Sequence, residues 1–296
     1  MGGEEILIKS IAQAVPTYAM MVFNIPINIC KGITDAISQF WWSDDDDKRR
    51  IHWQAWWKLC LPKYKGGMGF WDFHSFNLAM LAKQVWRSMY DLDYLCARVL
   101  RAKYYLDGRL LQAKLKSGSS FTWQSVLAGL ECFKQGYIWR VGDGTQINIW
   151  NDNWIPGNHN LKVLTPRGNI VISTVDELIN PIDGRWDEAL IRSLFWSVDV
   201  HRILQIPIYS GREDLIAWHP NRNGLFTVKS AYHCQWAHKF ASRNYTAVAG
   251  GSSLQSVWKK LWKLSIRARL KSLYGELFMG VSHVLLSWLI STLQTL

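Results

Sequence analysis

Four consecutive carboxylates, Asp44–Asp47, are the densest set of groups in this sequence able to hold a divalent cation. Metal-assisted nucleotidyl transfer needs carboxylates brought together from separate elements. These four follow an amphipathic stretch and run straight into Lys48-Arg49-Arg50, with no flanking strand and no partner carboxylate, so they read as a solvated acidic loop. Gly142-Asp143-Gly144 has the look of a phosphate loop, but a P-loop is longer and ends in Lys-Ser/Thr before a helix. With Ile138 and Arg140 before it and Ile147 and Ile149 after it, it reads as a hairpin turn. His233-Cys234 is half of a metal site with no second thiol near it in sequence, and reads as a packed structural pair. The five cysteines (30, 60, 96, 132 and 234) include no Cys-x-x-Cys. His52, His201 and His219 stand alone, and no nucleophile elbow supports hydrolase chemistry. No catalytic residue, no metal ligand and no cofactor is expected.

What the sequence concentrates is positive charge. Residues 48–65 carry Lys48, Arg49, Arg50, Lys58, Lys63 and Lys65 with no acid. Residues 222–271 carry ten Lys or Arg, again with no acid. The whole chain is only +11, so the remainder is net acidic and the cations are segregated. Cations with tryptophans between them suit a phosphate-binding surface: charge for the backbone and rings for bases. The candidate contacts are Lys48, Arg49, Arg50, Lys58, Lys63 and Lys65, with Lys83 and Arg87 one helical turn apart behind them. Such contacts position a nucleic acid without reading its sequence. The bland alternative is a solvated Lys/Arg face over a Trp-rich core. Tyr18, Trp53, Trp56 and Trp57 read as core, although Trp56 and Trp57 cannot share one helix face, which leaves one of them beside Lys58.

Of 296 residues, 49% are hydrophobic and 19% charged, and 18 are Trp, which excludes a disordered or low-complexity chain. Apolar spacing predicts helices over 4–14 (halted by Pro16), 27–42, 72–90, 95–105 and 121–135. The 27–42 stripe is Ile29, Ile33, Ala36, Ile37, Phe40 and Trp41. Beyond 136 the period changes. A second hairpin is expected between 214–218 and 225–228, with helices over 174–179 (Ser173 as N-cap), 186–204 and 229–240. The expected fold is mostly α with short antiparallel β-hairpins. The expected organisation is a helical region 1–135, a mixed region 136–240, a Ser/Gly/Ala-rich linker 241–253 and a final segment 254–296. Residues 277–296 carry no charged side chain, but Ser, Thr, Gln and His dilute them too heavily for a membrane span.

Five strings, in order, carry a resemblance. They are Ile8–Met20; Phe40-Trp41-Trp42 with Ile51-His52-Trp53; Leu59–Lys63, Gly66–Phe70 and Phe76–Gln84; Trp139–Gly144 with Trp150–Pro156; and Trp218, Gly224–Tyr232 and Leu261–Leu264. From about residue 4 to about residue 271 the chain resembles the C-terminal part of plant LINE-type (non-LTR) retrotransposon reverse transcriptases. The resemblance implies a polymerase thumb and connection, entering a reverse-transcriptase zinc-binding domain, often followed by RNase H. The family's polymerase motif, an aromatic and two aspartates between apolar strands, has no match here. The zinc domain's Cys-x-x-Cys is also missing, since no Cys follows Cys234. The string Tyr274–Gly280 is what a slipped reading frame over the family's Trp-Arg-Ala string would give, so 272–296 reads as out of frame.

The expectation is a non-catalytic reverse transcriptase remnant with low-specificity affinity for RNA or a primer–template duplex. A full-length reverse transcriptase or self-association are further expected partners, and no membrane. The competing expectation is an inert or self-associating fragment. An odd cysteine count without a recognisable signal peptide fits a nuclear or cytoplasmic location.

Overall fold

Helical spacing becomes helix along most of the N-terminal half, and the computed structural model describes residues 3–42, 52, 54–91, 93–106, 110–157, 160–240 and Lys263. The elements in order are α1 (Gly3–Leu7), α2 (Thr17–Met20), α3 (Ile27–Trp42), α4 (Trp56–Leu59), α5 (Phe73–Tyr90), α6 (Leu95–Tyr104), α7 (Phe121–Lys134), β1 (Tyr137–Arg140), α8 (Glu188–Leu194), α9 (Ser197–Leu204), β2 (Leu215–Trp218) and α10 (Val228–Phe240). Asp44–Asp47, Lys48-Arg49-Arg50, the 241–253 linker and, apart from Lys263, the 254–296 segment lie outside the described residues. Among the described residues no helix is long and apolar enough to cross a membrane. The chain divides into two units. Unit 1 is Met1–Glu131 with Tyr232–Leu296, of which 232–240 and Lys263 are described at its end; unit 2 is Cys132–Ala231.

Unit 1 is helical. Its core gathers Ile8, Met20, Cys30, Ile37, Trp41, Leu59, Met68, Phe70 and Phe73. Phe70 sits at the centre of a ring cluster, edge-on to Trp41 at 5.2 Å and stacked with Trp56 at 5.5 Å. The first helix does not run evenly to Ala14. After α1 the backbone widens into a π turn over Ile8–Ala12, where the Gln13 N–H donates to the Ile8 carbonyl at 2.9 Å. α3 begins and ends where its apolar spacing predicts, but its buried face is Cys30, Ile37, Ser38, Trp41 and Trp42. Ile29, Ala36 and Phe40 of the expected stripe are exposed, because α3 is apolar over a wider arc than its neighbours cover.

Two polar residues fix the centre of this unit. Asn77 on α5 is fully buried: its Oδ1 accepts from the Ile25 N–H at 2.7 Å, and its Nδ2 donates to the Met20 and Phe23 carbonyls at 2.9 Å each. Those are backbone groups at the end of α2 and beyond, which no helix ladder satisfies. Asp72 caps α5 by accepting from the Ser75 N–H at 2.9 Å, and both its oxygens take Lys239 Nζ at 2.8 Å. α7 approaches α5 closely at Gly129, where a Cβ would meet the Leu81 carbonyl carbon at 2.5 Å.

Unit 2 has a two-stranded sheet and a core of Val141, Ile147, Ile149, Trp154, Val175, Leu178, Ile191 and Ile203. Neither expected hairpin forms. β1 pairs antiparallel with β2, Tyr137 opposite Trp218 and Arg140 opposite Leu215, so the leading arms of the two expected hairpins pair with each other. The reason is a buried carboxylate. Asp214 Oδ1 accepts from the Gly142 N–H at 2.7 Å and the Gly144 N–H at 3.0 Å, and its Oδ2 accepts from the Gln146 N–H at 3.0 Å. Those donors curl 142–146 around Asp214, and Gly144 takes φ +79° to do so. Ile147 and Ile149 then pair with 173–175, through the Val175 N–H to the Ile147 carbonyl and the Ile149 N–H to the Ser173 carbonyl. In the second case, 225–227 is no strand. The Thr227 hydroxyl accepts from the Ser230 N–H at 3.2 Å in the first turn of α10, and Phe226 packs on Trp218.

Thr174, rather than Ser173, caps the short 3₁₀ turn Val175–Leu178, in a reciprocal box with Glu177. The helix expected over 186–204 is two helices. The chain is extended at Phe195 and Trp196, where the Trp196 N–H donates to Thr165 Oγ1 at 2.9 Å. Asp199 is wholly buried, and its Oδ2 accepts from the Leu164 N–H, the Thr165 N–H and Thr165 Oγ1 at 2.7–2.9 Å.

Candidate nucleic-acid interface

The cations expected to meet phosphate divide into three groups in the structure. Lys48, Arg49 and Arg50 lie outside the described residues. Lys58, Lys63 and Lys65 are in unit 1, on α4 and the single 3₁₀ turn Lys63–Lys65 that Pro62 opens and Gly66, at φ +87°, closes. Lys83 and Arg87 sit four residues apart on α5, both exposed.

The second group is already partly neutralised. Lys63 Nζ lies 2.7 Å from Glu5 Oε1, and Lys9 Nζ reaches the same oxygen at 2.8 Å. Burial pushes the Glu5 carboxyl up, but the hydrogen bonds from Lys63 and Lys9 outweigh it and hold the carboxyl below its ordinary range. Lys58 is half-buried, with its ammonium 5.8 Å from the Trp57 ring centroid, and Lys65 stands 6.0 Å from that of Tyr64. Trp56 belongs to the core, with its indole N–H donated to the Trp71 carbonyl at 3.3 Å, while Trp57 stacks on Phe240 at 6.4 Å.

The α5–α6 face differs. Arg87 Cζ lies over Tyr94, 4.0 Å from the ring centroid, a contact that holds the guanidinium without neutralising it. α6 packs on α5 through Ala97 and Leu100 and exposes Arg98, Arg101 and Lys103. In the loop before α7, Lys114 and Lys116 are also exposed. Among the described residues no carboxylate lies within 4.0 Å of Lys83, Arg87, Arg98, Arg101, Lys103, Lys114 or Lys116. Aromatic rings stiffen this face: Tyr104 stacks on Trp123 at 4.6 Å, with Lys103 Nζ 5.3 Å from the Tyr104 ring centroid. The α6 cations lie outside both long acid-free windows of the sequence. The signal is present but short, since 94–106 holds three cations and no acid before Asp107 interrupts.

The remaining candidates take structural roles. The anion held by Gly142-Asp143-Gly144 is the chain's own Asp214. His219 Nε2 is 3.1 Å from the Gly157 carbonyl, and His201 pairs with Gln205 at 2.9 Å. His233 packs edge-on to Tyr232, and burial pushes the Cys234 thiol up. Among the described residues no three His, Cys, Asp or Glu converge on a metal position.

No protein-family model and no solved structure matches the chain. Two proteins of Arabidopsis thaliana are similar to it. The protein named "Putative ribonuclease H protein At1g65750" is 28% identical over 280 residues, which is 91% of this chain but 43% of that protein, so the chain spans less than half of that relative. The other is 38% identical over 144 residues, which is 48% of this chain and 94% of that shorter protein. On that match, the chain belongs to the family of the "Uncharacterized mitochondrial protein AtMg00310" of Arabidopsis thaliana.

Proposed function

We propose that the chain is a non-catalytic remnant of a LINE-type retrotransposon reverse transcriptase that keeps a low-specificity surface for RNA or a primer–template duplex. The observation that carries the reading is the α5–α6 face, with Lys83, Arg87, Arg98, Arg101 and Lys103 exposed and no carboxylate among the described residues to neutralise them. The five ordered strings and the plant relatives support the retrotransposon origin. The resemblance puts RNase H after the segment matched, so ribonuclease H chemistry is not part of this proposal. A palm supplied by a full-length partner, in the nucleus or cytoplasm, would be needed for any DNA synthesis.

The test is binding of the full chain to a labelled primer–template duplex, titrated with salt. Four phosphate contacts predict a fall in affinity of about tenfold per doubling of salt. No binding at low salt by a monodisperse protein would leave the cations as solvated faces and end the reading.

A second reading, self-association, rests on a different observation. Ile6, Leu7, Ile11, Val15, Tyr18, Met21, Val22, Phe23, Ile27, Ile29 and Phe40 all stand exposed within the first 40 residues, Tyr18 at 82%. A concentration of exposed apolar side chains of this kind favours association. Sedimentation at rising salt separates the two, since apolar association is not weakened by salt as phosphate binding is.

A further inference from the structure

We infer that unit 2 carries a pocket for one unpaired nucleotide of a single-stranded nucleic acid. The cavity, of about 370 Å³, is built from β1, β2, the segment around Ile206–Tyr209 and the turn that follows β2. That volume is at the small end of sites for small ligands, enough for a base with its sugar and too narrow for a stacked pair. Its lining includes Trp139 and Tyr209 over a buried Trp218, together with Arg140, Arg222 and His219, and holds no acid.

The parts are held in place by the backbone. Trp139 and Arg140 are fixed by the β1–β2 register, opposite Ile216 and Leu215. The Tyr209 N–H donates to the Val141 carbonyl at 3.0 Å, seating Tyr209 beside the end of β1 with its side chain largely exposed. Asn221 ties the turn that carries Arg222, donating to the Leu225 carbonyl at 2.6 Å. Trp218 is buried beneath, its indole N–H committed to Ser230 Oγ at 2.8 Å. Trp139, by contrast, has a buried indole N–H with no acceptor in the protein. Among the described residues neither Arg140 nor Arg222 has a carboxylate within 4.0 Å.

Rings able to stack and cations with no internal counter-charge fit a base and its flanking phosphates. A paired base cannot enter such a concavity, because its faces are covered by its neighbours and its edge by its partner. The pocket draws on none of the unit 1 cations and is independent of the duplex surface proposed above.

The experiment compares labelled oligouridylate and oligothymidylate with a labelled duplex, on the full chain at physiological salt. Arg140→Gln with Arg222→Gln should weaken single-strand binding about fivefold or more, and Tyr209→Ala about threefold, both leaving duplex binding within about twofold. All three side chains are exposed, and an unchanged hydrogen-exchange profile over 160–204 confirms that unit 2 of each variant is folded. Inorganic polyphosphate should compete less well per charge than the oligonucleotide. Single-strand affinity unchanged in the variants, polyphosphate competing equally, or duplex binding with no single-strand binding would each overturn the pocket and leave the duplex surface standing. Wild-type protein that binds neither would overturn both.

Discussion

Unit 2 and unit 1 solve the same problem, burying polar backbone, with different chemistry. Unit 2 sinks two carboxylates, Asp199 and Asp214, and surrounds each with three donors from its own loops. Unit 1 uses one neutral amide, Asn77, and sets its charged staple, Asp72 with Lys239, nearer the surface. Unit 2 packs its loops over a continuous core, whereas unit 1 leaves its first three helices rich in exposed apolar side chains. A carboxylate that collects several backbone N–H groups specifies one loop path, because each donor left behind would be buried and unpaired. The difference teaches that unit 2 fixes its loop paths with buried charge, whereas unit 1 fixes its helix ends with a neutral amide.

The sharpest way to break the comparison is Asp199→Ala. It strands two backbone N–H groups and the Thr165 hydroxyl, and should cost about 3 kcal/mol or more. Hydrogen exchange resolved along the chain should show the loss in 160–204 and not in 73–104. Equal loss in both would mean that Asp199 does not act on unit 2 alone. Asn77→Ala, with three neutral hydrogen bonds removed, should cost about 2 kcal/mol, with exchange rising over 17–27.

Acid should act on unit 1 through Asp72. Burial pushes its carboxyl up, but the hydrogen bond from Lys239 and those from Ser75 outweigh it, so the folded carboxyl lies below its ordinary value. A depressed carboxyl contributes stability that is complete above the unfolded value near 3.8 and is lost as pH falls through the folded value. Urea midpoints of wild type and Asp72→Asn should therefore differ at neutral pH and converge in acid. A constant gap would refute the bridge.

On the binding side, Arg98→Gln, Arg101→Gln and Lys103→Gln together should reduce the slope of log affinity against log salt by about 2 to 3. Lys63→Gln, already opposite Glu5, should change duplex affinity by about twofold at most. The reverse ranking would move the interface from α6 to the 58–65 segment.

Much of unit 1 was legible because helices are local. α3 ends where its apolar spacing ends, and α5, α6 and α7 lie within one residue of the expected limits. Local spacing does not say which part of an apolar arc its neighbours will cover, and Ile29 and Phe40, within the apolar stripe, stay exposed. In unit 2 the strands themselves were visible and their partners were not. Pairing β1 with β2 depends on Asp214 reaching back some 70 residues to Gly142 and Gly144, and no local pattern announces a buried carboxylate. The candidate interface shows the same limit. Lys63 was evident as a cation, but its neutralisation by Glu5, far off in sequence, was not.

The clasp around Asp214 also bears on how the protein ages. An exposed Asp-Gly pair is prone to cyclise, the glycine nitrogen attacking the aspartate side chain to give a succinimide and then isoaspartate. Here Asp143 is exposed and Gly144 follows it. The Gly144 N–H is committed to Asp214, and Asp143 Oδ1 accepts from the N–H and hydroxyl of Thr145 at 3.1 and 3.0 Å. Both reacting groups are thus held in other bonds, and the folded loop shields from slow chemical damage a site that the unfolded chain would leave open.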